Sequence, residues 1–112
     1  MKKLLLFSIL ILSLLAGCAT PGKLIASSST AVDHAMKAWA VWVVDGHATA
    51  EQELRVRALK AKYDAAEDAA VQANIAFASG DKTRWAAAKA FLVEQQQALL
   101  SLVSTLTGKA MR

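Results

Sequence analysis

Pro21 is the only proline in the chain, so every residue from Gly22 to Arg112 is free of the one side chain that ends helices outright. Alanine, the strongest helix former, recurs throughout that stretch, and glycine, the next strongest breaker, is sparse. Two interruptions stand out. Asp45-Gly46-His47 is followed by Thr49 and Gln52 at the spacing of a capping box. In Ser79-Gly80-Asp81, glycine suits a helix end and aspartate suits the cap of the next helix. These signals predict three helices, at about 30–44, 50–78 and 82–107.

Periodicity says how the helices pack. Val56, Leu59, Tyr63, Ala66, Ala70, Ala73 and Phe77 recur at alternating spacings of three and four, as do Trp85, Ala88, Leu92, Gln95, Leu99, Leu102 and Leu106. Two such seams, roughly 43 and 39 Å long at ~1.5 Å per residue, suit an antiparallel coiled-coil hairpin. The first helix carries a stripe of Val32, Met36, Trp39 and Val43, widened by Ala35 and Trp42, and needs a broad apolar surface. Leu54, Val56 and Leu59 supply one with Ala98, Leu99, Leu100, Leu102, Val103 and Leu106. The predicted fold is all-α, a three-helix base with a projecting hairpin arm. Val71, Ile75, Phe91 and Val93 lie off the arm's seam, which predicts a surface covered by self-association or by an envelope protein.

The first 17 residues have a different character. Met1-Lys2-Lys3 forms a basic head, and Leu4 to Leu15 is apolar except for Ser8 and Ser13. As a helix this run reaches roughly 18 Å, short of a ~30 Å bilayer core, and it has the make-up of a signal peptide. It ends in Leu15-Ala16-Gly17-Cys18. That sequence resembles the lipobox of bacterial lipoproteins, and the resemblance covers residues 1–18. It implies that Leu15, Ala16 and Gly17 are recognised by the lipoprotein signal peptidase and that Cys18 becomes the acylated first residue. Two or more acyl chains hold stably in a membrane where one does not. Ala19 stands where an aspartate would resemble an inner-membrane retention signal, so the implied address is the outer membrane, with periplasmic and surface faces both open.

On this reading residues 1–17 are the signal peptide, 18–29 an acylated cysteine with a flexible Pro, Gly and Ser tether, and 30–112 the helical domain. Cys18 is the only cysteine, so the mature chain has neither a disulfide nor a thiolate metal ligand. Losing Lys2 and Lys3 leaves 11 basic residues against 9 acidic ones, a balance that does not call for nucleic acid.

Arg55, Arg57, Lys60 and Lys62 place four cations within eight residues, a candidate contact for anionic lipid or acidic wall polymer. Glu51, Glu53 and Asp64 stand four residues from Arg55, Arg57 and Lys60, the spacing of ordinary solvated helix pairs. His34 and His47 lack the spacing of a helical two-histidine site, so no metal is expected. Trp39, Trp42 and Trp85 suit a ligand groove or a membrane interface, though core packing of a small bundle explains at least two of them more simply, and Gln95 is a polar residue that can set register in the seam.

No G-x-S-x-G, catalytic cysteine, clustered acids or phosphate-cradling glycine loop occurs, which predicts a protein that is not an enzyme and uses neither cofactor nor small-molecule substrate. The alanine-rich heptads resemble those of small helical murein lipoproteins. Those proteins end in a lysine joined to peptidoglycan, whereas this chain ends Lys109-Ala110-Met111-Arg112. The expected role is a structural or docking module of the cell envelope. Two alternatives stay open: a binding or chaperone lipoprotein, similar in size and helicity to the pilotins that escort secretin subunits, and a phage-derived or prophage-derived envelope lipoprotein acting in lysis or superinfection exclusion.

Overall fold

Thr20 opens the first helix. Its backbone is extended and its side chain accepts a hydrogen bond from the Lys23 N–H at 3.4 Å, while Pro21 follows at the position where a missing N–H costs nothing. In the computed structural model, which describes residues 20–108, helix α1 therefore spans Pro21–Val44. This corrects the expected start near residue 30. Residues 21–29 belong to α1 and are not a flexible tether, because Leu24 and Ser28 extend the stripe of Val32, Ala35 and Trp39 backward at helical spacing, and all five are buried. Three serines in a row weaken helix propensity by a few tenths of a kcal/mol each, less than burying Leu24 contributes.

Gly46, at φ 80°, ends α1 in a Schellman turn: the N–H of His47 donates to the carbonyl of Trp42 at 3.2 Å and that of Gly46 to Val43 at 3.0 Å. Helix α2 spans Ala50–Ala78 and opens on the expected capping box, with Thr49 and Gln52 each bonding the other's backbone N–H. Gly80, at φ 100°, repeats the Schellman turn at its end, with Asp81 donating to Ala76 at 2.9 Å. Helix α3 spans Thr83–Thr107. Lys82 occupies its cap position without a side-chain cap bond, and Asp81, one residue earlier, accepts from the N–H of Thr83 at 3.1 Å and from its hydroxyl at 2.6 Å. These bonds hold the Asp81 carboxyl below its ordinary range.

The architecture is all-α, a helical bundle without strands among the described residues, and α2 packs most extensively against α3. Val56, Tyr63, Ala66, Ala70 and Ala73 of the predicted α2 seam are buried, as are Leu92 and Leu99 of the α3 seam. Burial in α3 also reaches Val93, Val103 and Thr107, which stand off that seam. Val93 corrects an expectation: it is only 8% exposed rather than part of a bare surface. The additional nine residues of α1 carry its apolar stripe farther along the hairpin and cover what a shorter helix would leave open.

The Ser28 and Tyr63 hydroxyls, 3.0 Å apart and buried, fix the register of α1 on α2. Since both helices rise equally per residue, Pro21 lies level with about residue 70 of α2. Among the described residues only α2 and α3 continue beyond that level, as an arm roughly 12 Å long that ends in the turn at Ser79–Lys82. The described chain measures 49 × 29 × 17 Å.

Candidate functional site

Leu15, Ala16, Gly17 and Cys18 lie outside the described residues, as do the terminal residues Lys109 to Arg112. What the structure supplies is the position of the chain just after them. Pro21, three residues beyond Cys18, is already the first residue of a packed helix.

The four basic residues do not converge. Arg55 and Lys62, seven apart, share one face of α2, while Arg57 and Lys60, three apart, share another about 160° away at ~100° per residue. Of the three expected pairs, only Lys60–Asp64 forms an ion pair; Glu51–Arg55 and Glu53–Arg57 do not. Arg55, Arg57 and Lys62 are exposed, and Lys60 is half-buried. Two cations on each flank of a helix make a weaker anion site than four on one face.

Val71, Ile75 and Phe91 are 38, 57 and 40% exposed, but they do not form one surface. Tyr63, Glu67, Val71 and Ile75 make a single row at intervals of four, which begins against Ser28 of α1 and emerges into solvent where α1 runs out. Phe91 lies on the opposite flank. There it lines an open groove between α2 and α3 with Ala69, Ala73, Ala87, Ala88 and Arg84. The arm thus has two distinct apolar flanks, one continuing the track of α1 and one turned away from it.

Leu54, expected to help cover the first helix, is instead 64% exposed, and Val41 and Val44 are also exposed; Val44, at 85%, is the last residue of α1 and faces away from its stripe. His47 packs its ring on Trp42, centroids 4.5 Å apart, the side-chain contact that commonly accompanies a Schellman turn. The Trp42 Nε1 is buried without a hydrogen-bond partner among the described residues. His34 lies on the outer side of α1, beside a shallow hollow lined by Ala26, Ser27, Thr30 and Ala31. Trp39 is buried, Trp85 packs against the core, and Gln95 is half-buried.

Among the described residues Tyr63 is the most deeply buried titratable group. Burial pushes its hydroxyl well above the ordinary tyrosine range; the Ser28 bond acts against this, and the Glu67 carboxylate adds to it. The pairing was hidden from the sequence reading, which placed Ser28 in the tether. The signal that finds it is the four-residue spacing of Leu24, Ser28 and Val32. Compared with protein-family models, with curated proteins and with solved structures, the chain matches none.

Proposed function

We propose that this chain is a bacterial lipoprotein, anchored in the outer membrane through acylated Cys18, whose helical domain is a non-enzymatic structural or docking module of the cell envelope. The observation that carries the reading is Leu15-Ala16-Gly17-Cys18 placed directly after a basic head and an apolar run of signal-peptide length. No helix among the described residues is long and apolar enough to cross a membrane. The open groove beside Phe91 favours a docking role over a pure spacer, because its alanines let another helix approach closely. Its proposed occupant is a second copy or an envelope protein; a pilotin-like escort and a phage-encoded envelope lipoprotein are the particular forms to compare.

Metabolic labelling with palmitate tests the anchor. The wild-type chain incorporates label and fractionates with the outer membrane, whereas Cys18→Ser does neither and keeps its first 17 residues. Equal fractionation of the two would sink the lipoprotein reading. Crosslinking from Phe91 in cells then identifies the occupant: self-adducts point to an oligomeric module, a secretin subunit to the escort.

A further inference from the structure

We infer that the arm of the hairpin rests on the membrane surface beside the anchor, through its Val71–Ile75 flank and the cations at its tip, and that the ligand of this surface is anionic phospholipid. The inference rests on Cys18 being the acylated residue. From Cys18 to Pro21 the chain extends at most about 11 Å. The arm continues past the level of Pro21 by roughly 12 Å and then turns at Ser79–Lys82. An anchor with so little slack cannot hold the bundle away from the bilayer. With the helices upright the tip reaches the headgroups, and with the helices tilted toward the anchor the flank next to the start of α1 does.

That flank has the chemistry for it. Val71 and Ile75 continue the row that Tyr63 begins against α1, and they open to solvent at the point where the chain leads back to Cys18. Lys82 and Arg84 stand at the tip, where Arg84 also borders the Phe91 groove, and Lys89 follows about two turns into α3, against the single acid Asp81 between residues 71 and 92. Lys82 Nζ lies 5.4 Å from the Phe77 ring centre, and Arg84 reaches Asp81 only at 3.9 Å, leaving its side chain largely in water. Apolar side chains beside a tip where cations outnumber acids suit an interface where acyl chains meet anionic headgroups. At the opposite end, Val44 is more exposed than Ile75 but stands next to Asp45, with Glu51 and Glu53 on the following turn. A second copy covering the Val71–Ile75 flank is the competing occupant, and the short anchor favours lipid because it already holds that flank at the bilayer.

The experiment uses the full acylated chain reconstituted into vesicles of phosphatidylethanolamine and phosphatidylglycerol. A fluorophore is placed at Ile75→Cys in one variant and at Val44→Cys in another. Quenching by a bilayer-borne nitroxide should be several-fold stronger at position 75 than at 44, and quenching by aqueous iodide several-fold weaker. Adding Lys82→Glu and Arg84→Glu should reduce the bilayer quenching at 75. Three results overturn the proposal: equal aqueous exposure at both positions on chains that float with the vesicles, protection at 75 that appears only with self-adducts, or undiminished quenching on purely zwitterionic vesicles. Chains that do not float with the vesicles overturn the Cys18 reading as well, so the two failures are told apart.

Discussion

Tyr63 is the residue where the core's polarity is decided. Its ring is buried in the middle of α2 and its hydroxyl reaches Ser28, so a buried hydrogen bond joins α1 to the hairpin. Tyr63→Phe leaves the Ser28 hydroxyl to find another partner and should destabilise the fold by about 1–2 kcal/mol in urea titrations. Ser28→Ala should cost a similar amount. The double variant should cost less than the two together, since the pair is then removed as a unit. The pH dependence follows from the raised Tyr63 hydroxyl. The folded state holds its proton more tightly than the unfolded chain, so this contribution is complete below the ordinary tyrosine value of about 10 and is lost as pH rises above it. Urea midpoints measured from neutral to strongly alkaline pH should fall for the wild type and flatten for Tyr63→Phe. Nothing in the composition marks this tyrosine as polar-paired. Its seam position was legible, but its partner sat in a stretch whose serines suggest a linker.

At the level of elements, the two interhelical turns were legible because each rests on local chemistry, a glycine at positive φ and, before α2, a capping box; at α3 the cap position falls on Lys82, one residue after the expected Asp81. The start of α1 was not, because it depends on what the helix packs against. Residues 21–29 alone have weak helix propensity, and only the burial of Leu24 and Ser28 on the hairpin decides the matter. Leu24→Ala separates the alternatives: in a free tether it would cost nothing, and in α1 it should cost ~2–4 kcal/mol by chemical denaturation. Gly80→Ala has open space around its new methyl group but must adopt φ 100°, so it should cost about 1 kcal/mol through the backbone alone. The surface charges divide in the same way. Their helix positions were readable from spacing, yet four cations close in sequence occupy two flanks of α2, since a helix turns about 100° with each residue.

For the molecule as a whole, the hairpin arm was legible as an apolar excess, but its partition into two flanks was not. Val71, Ile75 and Phe91 all stand off the seams, and a list of off-seam residues carries no record of which side of the hairpin each one takes. That depends on where α1 lies. Reversing Arg55 and Lys62 together, or Arg57 and Lys60 together, should each leave the circular dichroism spectrum unchanged and the unfolding free energy within ~0.5 kcal/mol of wild type, as expected for helix-surface charges. The absence of slack before α1 has one more consequence on the proposed anchor. Every copy is confined to a layer no deeper than about the molecule's own 49 Å length, so copies meet by diffusion in a plane, at an effective concentration far above that of the same number in free solution. We propose that under such confinement the shallow groove of alanines beside Phe91 brings two domains together, and purified domains released from the membrane should then associate far more weakly than the same domains do on it.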